Sequence, residues 1–436
     1  MPPVTSCCAT RPEPRHSHLD SALLFRRESG RLVAALTRIF GVHNLALVED
    51  VVQDSFSRAL EVWGAHGAPD NPSAWLMTTA KNRALDIVRR ERTAQRFAPE
   101  MGRLLETEWT LTPLLEEAFA PRTIRDEQLR MMFSCCQATL SEEAQLALIL
   151  NILCGFGAHE IASALLVGKA AVEKRISRGK KLLAESRRLF ELSDADFEAR
   201  ASTVRHALYL LFNEGYHGAS DEPVRRELCA EALRLTQLLL EYLPAASPTT
   251  FALGALLCLH AARLPTKLDA DGELNALAEQ DRTRWDPRLA AQGLHFLEQS
   301  AAGSELSTYH LEAAIAAVHV GARTLADTDW AAIVPLYDRL LSIAPSPVVA
   351  LNRAIAIGQR DGAERGLAEL HAIVDRDRLG SYPFYPAAMG ELELGRGNSA
   401  AARTYFEAAL DLSRNDAERR FLAKRVFACT TGVEHN

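Results

Sequence analysis

No apolar run in this sequence is long enough to cross a bilayer. The longest, Phe251 to Leu264, is interrupted by His260 and Arg263, and a membrane helix needs about 20 consecutive apolar residues. The segment MPPVTSCCATRPEPRHSH has no basic stretch followed by an apolar one, so residues 1–18 read as a disordered tail and not as a secretion signal. The eight cysteines form two adjacent pairs, Cys7/Cys8 and Cys135/Cys136, and four scattered positions. That pattern gives neither a disulfide framework nor the paired spacings of a zinc site. Cys7, Cys8, His16 and His18 stand in a proline-rich stretch with no flanking structure to converge them on a metal. The expectation is a cytoplasmic chain with reduced thiols, no membrane segment, no metal and no cofactor.

What is present is alanine, leucine and charge. The chain has 436 residues, 48% of them hydrophobic and 24% charged, with a formal net charge of -7. Ala and Leu lose little rotamer freedom in a helix, so an all-α protein is expected. The length suggests roughly two to four domains. Helical patterning runs through residues 19–96. A proline-bearing acidic linker follows at 97–124, with Pro99, Pro113 and Pro121 beside Glu106, Glu108, Glu116 and Glu117. A second helical block occupies 125–189.

Beyond it the cation clusters thin out, and long Ala/Leu helices extend through 190–300, broken near Pro223, Pro244, Pro265 and Pro287. Over 301–429 the pattern repeats. Turn signals at Asp327-Thr328-Asp329, Asp361-Gly362-Ala363 and Arg396-Gly397-Asn398 each precede an amphipathic helix, expected at 330–343, 363–374 and 399–412. Their interval of about 35 residues is close to the tetratricopeptide period of about 34, two helices per unit. Ala354, Ala388 and Ala409 suit close helix crossings, and 416–428 reads as a capping helix.

The charge is unevenly placed. Between Lys169 and Leu183 stand Lys169, Lys174, Arg175, Arg178, Lys180 and Lys181, offset only by Glu173. At about 100° per residue, Val172, Ile176, Gly179 and Leu183 share one side and the cations spread over the other. A short helix at 160–165 and the connection Leu166-Val167-Gly168 precede it, which is helix-turn-helix spacing. A second cationic helix is expected from Trp75 to Arg96, with Lys81, Arg83, Arg89, Arg90, Arg92 and Arg96. A solvated amphipathic face explains most charge runs. Two separate basic helices in a net acidic chain instead favour a polyanion gripped at two points, since cations release condensed counterions from phosphates. Nucleic acid is the ligand this implies.

The motifs carry a resemblance. Val48-Glu49-Asp50-Val51-Val52-Gln53-Asp54-Ser55-Phe56, Ala74-Trp75-Leu76 and Asn82 to Arg90 resemble region 2 of the extracytoplasmic-function sigma factors of the sigma-70 superfamily. Glu160-Ile161-Ala162, followed at the family's spacing by Val172, Arg175-Ile176 and Arg178, resembles their region 4. Leu208 to Tyr216 and Glu231 to Leu235 resemble the start of the long helical extension of one subgroup, whose C-terminal half is tetratricopeptide-like. The implied fold is two small helical domains, region 2 at 19–96 and helix-turn-helix region 4 at 125–189, followed by an α-solenoid-like extension.

The resemblance also implies roles. Val48, Val52, Phe56, Ala59 and Trp63 make the buried seam of one helix, which leaves Asp50, Gln53 and Asp54 outward to dock on basic helices of core RNA polymerase. The Gly64 to Ala74 segment corresponds to the loop that captures a base flipped from the melted -10 element, where unstacking costs about a few kcal/mol. Asp70, Asn71 and Ser73 are candidates for that base edge. Lys81, Asn82, Arg83 and Arg89 are candidates for the strand, while Trp75 is expected to pack more than to stack. In the -35 element, Glu173, Lys174, Ser177 and Arg178 would read bases, and Lys169, Arg175, Lys180 and Lys181 would hold phosphates. Glu173, Leu166 and Ala171 depart from the usual family residues, so the promoter sequence does not carry over.

The expected protein is a non-enzymatic sigma factor with core RNA polymerase and promoter DNA as partners. A cytoplasmic regulatory protein is a further candidate, docking on the extension. One rival is a helix-turn-helix regulator that binds DNA without core polymerase. The other is an enzyme or metal site built on Glu214, His217 and nearby His206. Against it, Asn213 to Gly218 reads as a helix end, with Gly215 and Gly218 permitting the turn.

Overall fold

The computed structural model describes residues 17–94, 121–137, 139–165, 167–185, 194–217, 223–242, 245–413 and 415–431. The expected tail, apart from Ser17 and His18, lies outside them, as do Arg96, linker residues 97–120, Leu166, Gly218 and Pro244. The chain is all-α. Among the described residues there is no strand, only an isolated antiparallel bridge between Leu268 and Leu274. No single helix among them is long and apolar enough to cross a membrane.

The chain divides into two compact units. The first takes residues from Met1–Cys135, Ala147–His159 and Ala170–Phe190; the second takes Cys136–Leu146, Glu160–Lys169 and Glu191–Asn436. The block expected as one domain at 125–189 is therefore shared between them.

The first unit begins with α1 (Ser17–Phe40), α2 (Leu45–His66) and α3 (Pro72–Ala94). Helix α4 (Pro121–Ser134) starts inside the expected linker, because a proline at the first helical position gives up an N–H that would have no partner there anyway. Helix α1 packs on α2, α3 and α4. Leu32, Leu36 and Phe40 of α1 are fully buried, as are Leu76 of α3 and Met131 and Phe133 of α4. Each such side chain contributes about 1.5–3 kcal/mol, more than the partly exposed Arg38–Glu127 ion pair at 2.9 Å that joins α1 to α4. Packing, not charge, holds α4 in this core.

Three more helices follow: α5 (Glu142–Ile152), α6 (Ala158–Ala164) and α7 (Lys169–Glu185). The second unit then runs through α8 (Asp194–His217), α9 (Arg226–Glu241), α10 (Pro248–Ala261), α11 (Pro287–Ser300) and α12 (Thr308–Gly321). It continues with α13 (Trp330–Ile343), α14 (Pro347–Asp361), α15 (Ala363–His371), α16 (Phe384–Gly395), α17 (Ser399–Asp411) and α18 (Asp416–Thr431). Neighbours in sequence are neighbours in space.

The helix starts are written locally. Ser247, Asp286 and Ser346 each accept a backbone N–H at an N-cap immediately before a proline, which fills orphan donors and presets φ. Two of the three repeat turns also cap through a side chain. Asp329 caps α13 and Asn398 caps α17. Gly362 joins α14 to α15 at φ 97°, a conformation that L side chains rarely adopt. Ala354, Ala388 and Ala409 are buried at crossings.

Candidate nucleic-acid interface

Helix α2 buries Leu45, Val48, Val51, Val52, Ser55, Phe56 and Ala59. This includes the expected seam except Trp63, which is half-buried. Asp50, Gln53 and Asp54 are exposed on the other side. Asp54 is engaged there: Arg83 of α3 donates to its Oδ2 from Nε at 3.1 Å and from Nη2 at 2.8 Å. Both side chains are well exposed, so the pair is worth about 0–1 kcal/mol and yields readily to a better partner. A candidate polymerase contact and a candidate DNA contact thus hold each other.

The loop before α3 is built around its cap. Asn71 Oδ1 accepts from the Ala74 N–H at 3.0 Å, and Pro72 opens the helix. Ser73 donates to Glu28 Oε1 at 2.8 Å. Glu28 is fully buried and also receives Arg31 Nη1, 2.9 Å from Oε2. A buried carboxylate needs those donors, because losing one costs about 1–3 kcal/mol. Trp75 packs edge-on against Trp63, with centroids 5.4 Å apart. Asp70, Asn82 and Arg89 are exposed, and Lys81 is half-buried.

In α7 the buried residues are Val172, Ile176, Gly179 and Leu183. Gly179 is required by contact: a Cβ there would fall 2.6 Å from Leu148 Cδ1 of α5. Outward stand Lys169, Glu173, Lys174, Ser177, Arg178 and Lys181, all exposed, while Arg175 is half-buried. Between α6 and α7 the Val167 N–H is bonded to Ala162 O at 3.0 Å. Lys180 does not face outward with the others. Its Nζ reaches Glu49 Oε1 of α2 at 2.5 Å, a partner 131 residues away in sequence that no local pattern announces. Glu160 of α6 accepts from Arg225 Nη1 at 2.7 Å, and the Arg225 Nη2 donates to Glu214. Arg225 is buried.

Glu214, His217 and His206 go to separate partners: Arg225, Lys267 and Glu142. Gly215 lies within α8 and not in a turn. It makes room for the Arg225 carbonyl, 2.8 Å from where a Cβ would stand.

Residues 24–94, covering most of α1 and all of α2 and α3, match the family model of sigma-70 region 2. Residues 200–301 match a family of unknown function, DUF6596. The RNA polymerase sigma factor CarQ of Myxococcus xanthus is 29% identical over 162 residues, 37% of this chain and 86% of its own length. The ECF RNA polymerase sigma factor SigX of Bacillus subtilis (strain 168) is 24% identical over 156 residues, 35% of this chain and 76% of its own length. The uncharacterized protein R00370 of Rhizobium meliloti (strain 1021) is 36% identical over 408 residues, 93% of this chain and 94% of its own length. The chain therefore belongs to one full-length family with R00370, and its residues 24–94 carry a sigma-70 region 2.

Proposed function

We propose that the chain is a sigma factor that joins core RNA polymerase, recognises the -35 and -10 elements of a promoter and starts transcription, with the extension as its regulatory part. The observation that carries this is the ordered pair: a sigma-70 region 2 over residues 24–94, then the cationic exposed face of α7 laid over an apolar seam. Lys174, Ser177, Arg178 and Glu173 would enter the major groove as a helix-turn-helix reader, where a bidentate Arg or Lys selects guanine. Lys169, Arg175 and Lys181 would hold phosphates.

At the -10 element, exposed Asp70, Asn82 and Arg89 would meet the DNA, with Lys81 beside them. Asn71, Ser73 and Trp75 would shape the loop through the cap, the Glu28 hydrogen bond and the Trp63 contact. Asp50, Gln53 and Asp54 would dock on core polymerase, with Arg83 released from Asp54 for DNA. The extension, tetratricopeptide-like in its last three helix pairs, would take a cytoplasmic regulatory protein. The polymerase supplies the catalysis in this reading.

Docking through acidic side chains is salt-sensitive and charge-specific. Asp50→Lys is expected to weaken association with purified core polymerase at least tenfold at low salt, as measured by fluorescence anisotropy, with the gap narrowing as salt rises. Equal affinity of the variant at low salt would retire this face of α2 as the docking surface.

A further inference from the structure

The extension holds a cavity of about 520 Å³, partly open to solvent, between α8, α10, α12, α13 and α14. That size suits a small organic molecule. Its walls are largely apolar, including Phe212, Leu256, Leu257, Ile315 and Leu340. Its polar lining includes Arg263, His260 and His319, beside Asn213, Asn352 and Glu312. Lys267 adds to them, with its Nζ 4.3 Å from the Tyr216 ring centroid and 3.4 Å from His217 Nδ1.

Four buried polar atoms of this group have no hydrogen-bond partner: Tyr216 Oη, His260 Nδ1, His319 Nδ1 and Arg263 Nε. Tyr216 is only 2% exposed and His319 only 9%. Buried polar atoms without partners are costly, and their accumulation in one cavity marks a place prepared for a ligand.

The electrostatics specify its sign. Burial, then Arg263, pushes His260 down to about 3 and His319 down to about 4, so both rings are neutral at pH 7 with a donor each. Burial and Arg263 also bring Lys267 down to about 7. Cations crowd one another here. Arg263 and Arg282 lie 5.4 Å and 5.1 Å from the Trp285 ring centroid. Arg282 is occupied by the carbonyls of His319 and Ala322. The acid that lines the cavity, Glu312, takes a hydrogen bond from Tyr209 at 3.2 Å, and burial pushes its carboxyl up to about 7. Arg263 makes no ion pair among the described residues.

We infer that this cavity is a binding site for a small organic anion with an apolar or aromatic body, its acid group received by Arg263, His260, His319 and the Tyr216 hydroxyl. The extension would then sense a metabolite of that chemistry directly. This concerns the second unit alone, and it stands or falls without polymerase or promoter.

The test titrates the full chain with 1-anilinonaphthalene-8-sulfonate, an aromatic monoanion, and follows its fluorescence. One saturable site is expected, displaced by octanoate and at least tenfold less well by octanol or inorganic phosphate. Arg263→Gln should weaken the probe at least tenfold. Tyr216→Phe removes a hydroxyl that has no hydrogen-bond partner within the protein, so it should leave the melting temperature unchanged or higher while weakening the probe at least threefold. A purely structural tyrosine would give the opposite pattern. The inference is overturned by the absence of a saturable single site, by displacement with octanol or phosphate equal to that with octanoate, or by unchanged probe affinity in Tyr216→Phe.

Discussion

Replacing Lys174 and Arg178 together by alanine is expected to reduce transcription from a cognate promoter by at least a hundredfold while leaving association with core polymerase intact. Both side chains are exposed on α7, opposite the seam of Val172, Ile176, Gly179 and Leu183, so their removal leaves the fold untouched. A Lys or Arg that reads a base edge contributes about 1–3 kcal/mol of discrimination, and each also adds to the counterion release that holds any protein on DNA. Two such losses on one helix multiply. The measurement is run-off transcription beside a core-binding assay on the same preparation. Loss of core binding as well would assign α7 to the polymerase instead.

Arg225→Ala is expected to destabilise the second unit by about 3–5 kcal/mol, because it strips the shared cation from Glu160 and the buried Glu214. Calorimetry should show a melting transition lower by roughly 10 °C, since about 1 kcal/mol moves a unit of this size by about 2–4 °C. Neutralising the acids as well, in Arg225→Met with Glu160→Gln and Glu214→Gln, should recover a large part of the loss. An equally unstable triple variant would mean that Arg225 acts by packing. The same pair ties the extension to the proposed helix-turn-helix: Glu160, on its first helix, pairs with a residue beyond position 189. Removing residues 190–436 therefore also removes a partner of the proposed helix-turn-helix.

The helices and their buried faces were legible in the sequence, because an i, i+3, i+4 apolar pattern dictates both the element and the side it buries. The seam of α7 is the clearest instance: all of its expected members are buried. Helix α13 runs from Trp330 to Ile343, as the turn signal at Asp329 and the following periodicity require.

Pairings between distant residues were not legible. Asp54 with Arg83, Lys180 with Glu49 and Arg225 with Glu160 join residues 29, 131 and 65 positions apart, and each residue alone looks like an ordinary surface charge. The sequence also gave no sign that α1 and α4 share a core, since apolar faces do not name their partners. The connection between α10 and α11 carried no periodic signal, although it supplies Arg263 to the cavity lining, Trp285 against Arg263, and Lys267 against the lining residue Tyr216.

The central claim is promoter-directed initiation, and transcription reconstituted from purified components tests it most directly. Core RNA polymerase, this chain and a library of upstream sequences should yield transcripts that start downstream of a shared pair of sequence elements, and core alone should yield none of them. A library from which the added chain draws no initiation beyond that of core alone would contradict the account.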